Sequence, residues 1–129
     1  MGTTSFRKAI CAASAAVVLS AAACGGDDEP AAGPEGPVTS ITITSPDLSF
    51  DIERFEVPAG EEVQVTYVND HERVQHNIHF DTGRDPEPVT EVVVGPATQS
   101  LSFALEAGDE VTYVCDVHPA QMRGTVTAS

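Results

Sequence analysis

Basic residues are the scarcest charged type in this sequence: one lysine and five arginines stand against twenty acidic residues. Arg7 and Lys8 both lie near the N-terminus, so from Cys24 onward four arginines face all twenty acids, a formal charge of −16. A chain of that sign has no basic patch to neutralise phosphates, which excludes nucleic acid as a partner. The excess acid suits solubility in salty surroundings or the steering of a basic partner, and composition does not choose between them. Long apolar runs are equally scarce. Residues 9–23 form the only one, preceded by Arg7-Lys8 and ending in Ala21-Ala22-Ala23. It is too short and too alanine-rich for a membrane-spanning helix and has the layout of a secretory signal.

Cysteine is limited to three residues, and each has a different fate. Small residues leading into Cys24, followed by Gly25-Gly26-Asp27-Asp28-Glu29, resemble a bacterial lipoprotein signal, although Ala21 stands where that family usually has leucine. The resemblance implies that residues 1–23 are removed and that Cys24 becomes an acylated N-terminus. The mature protein would then be anchored to the outer face of the bacterial cytoplasmic membrane. Ordinary secretory cleavage near the same point is the alternative. Residues 24–37, apart from Cys24 itself, are glycine, proline, alanine and acid, the composition of a flexible tether. Residues 38–129 suit one small domain. Cys11 leaves with the signal, so Cys115 is the only thiol of that domain and no intradomain disulfide is possible. Such a lone cysteine implies intermolecular pairing, a reactive thiol, a metal or a buried structural role.

Amphipathic helical patterning and internal repeats are both missing. Short apolar–polar alternations broken by Gly, Pro and Asp predict strands at residues 40–44, 49–57, 62–69, 76–80, 91–94, 99–106, 110–115 and 123–128. The phase of the second slips midway, predicting a bulge or bend. Seven or eight short strands without helices predict an all-β Greek-key β-sandwich.

Against that background one segment carries specific chemistry. Cys115-Asp116-Val117-His118-Pro119-Ala120-Gln121-Met122 sets a thiolate, an imidazole and a thioether close in sequence, with a second imidazole upstream at His76. Two imidazoles, one thiolate and a weak axial thioether are the donors of a blue-copper site. Strand parity puts Cys115 on the inward face with Val111 and Tyr113, and His76 inward with Ile78 and Phe80. His79 has the opposite parity and is expected to point outward, with a secondary metal contact as its lesser alternative. His71, in a charged loop, is expected to be solvated. Pro119 stiffens the loop carrying His118, and Gly124 permits a close return into the last strand.

His76-Asn77-Ile78-x-Phe80 and Tyr113-x-Cys115-x-x-His118-Pro119-x-x-Met122-x-Gly124-x-Val126 resemble the ligand segments of the cupredoxins, small blue-copper proteins of the plastocyanin and amicyanin type. Pro58-Ala59-Gly60-Glu61 and Asn69-Asp70 extend the likeness over residues 50–128. The resemblance implies one copper ion, with His76, Cys115 and His118 as equatorial ligands and Met122 as the axial one. It implies that Asn77 ties the two ligand loops together. The gap from His118 to Met122 is intermediate between amicyanin's and plastocyanin's, Val117 stands where many members have proline, and Asp116 sets a charge beside Cys115. These departures bear on potential and spectral class.

The implied function is a non-enzymatic, monomeric electron carrier, serving extracytoplasmic redox partners that dock near His118 through a basic surface. A copper-delivery module is the alternative, and a metal-free adhesion or sensory sandwich a third. Zinc is the competing metal, but it favours a second cysteine or a carboxylate over a thioether. A nucleophilic role for Cys115 lacks a third group and an oxyanion arrangement.

Overall fold

The computed structural model describes residues 30–129. The expected signal at 1–23, the expected acylation site Cys24 and the first part of the expected tether lie outside the described residues. Ten strands follow in order: β1 (Ala32–Pro37), β2 (Ser40–Ser45), β3 (Arg54–Val57), β4 (Glu62–Asn69), β5 (Gln75–His76), β6 (His79–Asp81), β7 (Val93–Val94), β8 (Ala97–Ala104), β9 (Glu110–Val114) and β10 (Arg123–Ala128). One sheet runs β1-β3-β10-β9-β6, a second β2-β4-β8, and β5 pairs with β7. No helix occurs among the described residues. The fold is the expected all-β sandwich.

Two differences raise the strand count. Residues 32–37, assigned to the flexible tether, instead form β1 and pair in parallel with β3. Their prolines conceal a strand because proline is tolerated at an edge, where a missing N–H costs no ladder bond. Residues 76–80 alternate like one strand but divide into β5 and β6. The chain changes sheets at Asn77-Ile78, leaving β7 as its partner and joining β9. The phase slip within 49–57 marks the point where irregular chain enters β3, so only its second half is strand.

Inward positions of β2, β4, β9 and β10 supply the core, including Ile41, Ile43, Val63, Val65, Tyr67, Val111, Tyr113 and Val126. Tyr113 is its centre. Its ring lies 5.4 Å from Phe50, 5.8 Å from Phe55 and 5.1 Å from Phe80, and its hydroxyl donates to the Ile52 carbonyl at 2.6 Å. Each buried phenylalanine contributes about 1.5–3 kcal/mol through loss of water-exposed apolar area. Gly124 faces Tyr113 across the β9–β10 ladder, where a Cβ would come within 2.1 Å of the ring. The close return expected at Gly124 therefore makes room for the tyrosine. This packing fixes the end of β9, and with it Cys115.

Candidate metal centre

Cys115 follows β9 by one residue and keeps the inward phase of Val111 and Tyr113, so its thiol is fully buried. The chain then turns back through a compact loop. The His118 N–H donates to the Cys115 carbonyl at 3.1 Å, and the Met122 N–H to the His118 carbonyl at 3.0 Å. The Cys115 N–H closes the loop on the Met122 carbonyl at 3.1 Å. Met122 is buried, whereas His118 is partly exposed. His76 ends β5, buried as its parity requires.

These elements bring three donors to one point. His76 Nδ1 lies 3.7 Å from Cys115 Sγ and His118 Nδ1 lies 3.9 Å from it. The three donor atoms all fall within 4.8 Å of one another. With metal–sulfur and metal–nitrogen bonds of about 2.3 and 2.0–2.1 Å, a trigonal angle separates sulfur and nitrogen by about 3.8 Å, a tetrahedral angle by about 3.6 Å. Both sulfur–nitrogen separations are within the reach of a single ion. The donor types, one thiol sulfur and two imidazoles with a thioether in the same loop, are those of a blue-copper site rather than of zinc. Burial first, then the neighbouring imidazoles His118 and His71, push His76 below the ordinary histidine range. Both effects favour the neutral imidazole, the form that offers a lone pair to a metal.

Asn77 joins the two halves of the site. Its Nδ2 donates to Asp116 Oδ2 at 2.7 Å and to the Thr90 carbonyl at 3.3 Å, and its Oδ1 accepts the Asp116 N–H at 2.8 Å. The charge beside Cys115 is thus engaged. Asp116 Oδ1 also meets His79 Nδ1 at 2.9 Å, and His79 Nε2 meets Glu87 Oε2 at 3.1 Å. Burial alone would lower His79, but the bonds and charges of Asp116 and then Glu87 outweigh it and hold the imidazole above its ordinary value. Burial alone would raise Asp116; bonds from Asn77 and His79 outweigh it and keep the carboxyl low.

Two histidines depart from expectation. His79 points away from the metal donors, as its parity requires, but two carboxylates enclose it and leave it only partly exposed. His71, expected to be solvated, lies against His76 with its Nδ1 3.0 Å from His76 Nε2. His79 was hidden because Asp116 comes from a distant segment, and His71 because a loop turn rather than a strand periodicity brings it onto His76. For His79 the acid beside Cys115 was the available signal, since β6 runs next to β9.

Residues 37–129 match the family described as copper binding proteins, plastocyanin/azurin family. The chain belongs to that family. Its cofactor is one copper ion, consistent with the grouped His76, Cys115 and His118 donors. Among solved structures, this cupredoxin is similar to a dithionite-reduced auracyanin from the photosynthetic bacterium Roseiflexus castenholzii. Identity there is 23%, over 73% of this chain and 99% of that one, with a TM-score of 0.64. Auracyanin A, a "blue" copper protein from the green thermophilic photosynthetic bacterium Chloroflexus aurantiacus, matches at 21% identity, covering 73% and 100%, with a TM-score of 0.61. A mutant amicyanin in its reduced Cu(I) form at pH 4 matches at 27% identity, covering 78% and 92%, with a TM-score of 0.56. No curated protein matches the sequence.

Proposed function

We propose that this chain is a type 1 blue-copper electron carrier rather than an enzyme. His76, Cys115 and His118 are its equatorial ligands and Met122 its axial ligand. The observation that carries this reading is the approach of two imidazole Nδ1 atoms to one buried cysteine sulfur, at 3.7 and 3.9 Å. Auracyanin A, a "blue" copper protein of the same fold, lends it support by analogy.

Bound copper supplies one-electron exchange between Cu(II) and Cu(I). The chain's task is to keep its donors still during that exchange. The loop hydrogen bonds of Cys115, His118 and Met122, with the Asn77–Asp116 pair, do so by leaving few alternative geometries. His118 is the donor edge open to solvent, flanked by exposed Val117 and by Pro119 and Ala120. That small apolar lip on an acidic protein suits transient docking of a basic redox partner, slowed by rising ionic strength. In this reading the signal at 1–23 is removed and a lipid on Cys24 tethers a monomeric domain, residues 38–129 with β1, outside the cytoplasm.

Adding Cu(II) to the purified soluble domain tests the proposal. The expected result is an intense visible Cu(II)–thiolate band, lost in Cys115→Ser, with reversible one-electron voltammetry. A colourless product would sink it. Sluggish cycling with ready surrender of Cu(I) to an acceptor protein would favour copper delivery instead.

A further inference from the structure

His71, in the loop between β4 and β5, is a second imidazole for which the ligand pattern does not account. Its ring meets that of His76 nearly end to end, with centroids 5.2 Å apart, planes 27° from parallel and Nδ1 lying 3.0 Å from His76 Nε2. The other nitrogen of His76, Nδ1, is the one that faces Cys115. The loop is built to seat His71. Asn69, fully buried, accepts the His71 N–H at Oδ1 (3.1 Å) and donates from Nδ2 to the carbonyls of Val74 (2.9 Å) and Val93 (3.0 Å). Gly95 lies against this turn, where a Cβ would stand 2.5 Å from the His71 carbonyl oxygen and 2.8 Å from Asn69 Oδ1. Only glycine leaves space for the loop to close so tightly.

The geometry assigns the protons. A neutral imidazole has one N–H and one lone pair. A lone pair on His76 Nδ1, directed at the donor cluster, places the proton of His76 on Nε2. His71 Nδ1 must then accept, and the proton of His71 sits on its own Nε2. We propose that His71 is a positioning residue for the copper centre, accepting the Nε2–H of His76 and locking its tautomer and ring orientation. The proposal rests on the copper reading above. Outer partners of metal-binding histidines fix tautomer and raise donor strength, usually through a carboxylate, a backbone carbonyl or water. Here a side-chain imidazole takes that place. By strengthening the Nδ1 donor, the bond favours Cu(II) over Cu(I).

Two variants separate this role from packing. His71→Phe keeps an aromatic ring without an acceptor, and His71→Asn restores an acceptor near the position of Nδ1. In copper-free wild-type protein, ¹⁵N NMR is expected to show His76 as its Nε2–H tautomer, with a scalar coupling across the bond to His71 Nδ1. In the loaded protein, His71→Phe is expected to bind Cu(II) about 10-fold more weakly. With Cu(I) affinity unchanged, its reduction potential rises by about 59 mV, and His71→Asn returns most of the difference. A His76 that carries its proton on Nδ1, or a His71→Phe protein with wild-type Cu(II) affinity and potential, overturns the proposal. If His71→Phe fails to fold, the wild-type coupling and His71→Asn decide. A wild-type domain that takes up no copper sinks the copper reading, while the coupling still decides the bond between the two imidazoles.

Discussion

Asn77 and Asp116, 39 positions apart, exchange two hydrogen bonds that span the two ligand-bearing segments. One comes from the Asn77 amide to the Asp116 carboxylate, the other from the Asp116 N–H to the Asn77 carbonyl oxygen. Because His76 precedes Asn77 and Cys115 precedes Asp116, this pair ties together the segments carrying two of the proposed metal donors. A protein N–H buried without a partner costs about 1–3 kcal/mol, more where a charged group is involved. Asn77→Ala removes the partner of the Asp116 N–H and of the buried Thr90 carbonyl, while the exposed Asp116 carboxylate keeps His79 and turns to water. The copper-free domain is therefore expected to lose about 1–3 kcal/mol in urea unfolding. Asn77→Asp should be worse at neutral pH, since it sets one carboxylate against another and removes the donor. A loss no larger than that of an exposed surface substitution would show that the pair does not hold the segments together.

His79 gives stability a pH dependence of known sign. Its folded value is raised by Asp116 and Glu87 against the opposing effect of burial. The stabilisation is therefore complete below the unfolded value of about 6.5 and declines as pH rises through the higher folded value. His76, whose folded value is lowered, acts in the opposite direction below about 6.5, but its effect is common to wild type and a His79→Gln variant. The difference between those two proteins isolates His79. Urea midpoints from pH 5 to 9 should converge as the pH rises, and a constant difference would refute the assignment.

Gly124→Ala opposes two effects of different size. Loss of glycine's unfolded-state freedom stabilises by about 0.4–1 kcal/mol. The new methyl, however, would meet Tyr113 Cζ, Cε2 and Oη at 2.1–2.4 Å. That ring cannot yield easily, being packed on three aromatic rings and bonded to the Ile52 carbonyl. Overpacking of about 1–3 kcal/mol or more should win, giving net destabilisation. Thermal or urea unfolding of the copper-free variant measures it, and a stabilised Gly124→Ala would contradict the packing.

The parts legible in the sequence were those governed by local periodicity. Residues 62–69 and 123–128 alternate without interruption, and β4 and β10 have those same bounds. The inward phase of Cys115 and His76 followed from the same rule, because each continues or ends a strand. Periodicity carries no information where the chain leaves one sheet for another, so the break at Asn77-Ile78 was invisible. It is equally silent in loops. The seat of His71 is made by Asn69 and Gly95, and no spacing within residues 70–75 could reveal it. The strand β1 escaped notice because pairing at an edge tolerates a composition that otherwise marks a tether.

Met122→Leu tests the axial assignment without destroying the site. Met122 is fully buried, and its backbone is bonded to both Cys115 and His118. Leucine nearly conserves volume, so the copper-free domain should lose less than about 1.5 kcal/mol and stay folded. The thiolate and both imidazoles remain, so the intense visible band should persist. The thioether is then the only donor removed. Axial ligation tunes the potential of such a centre, and losing a donor favours Cu(I), which accepts fewer ligands. The reduction potential is therefore expected to rise while the band survives. An unchanged potential would show that Met122 fills space beside the metal without binding it; loss of the band would show that leucine had displaced the trigonal donors themselves.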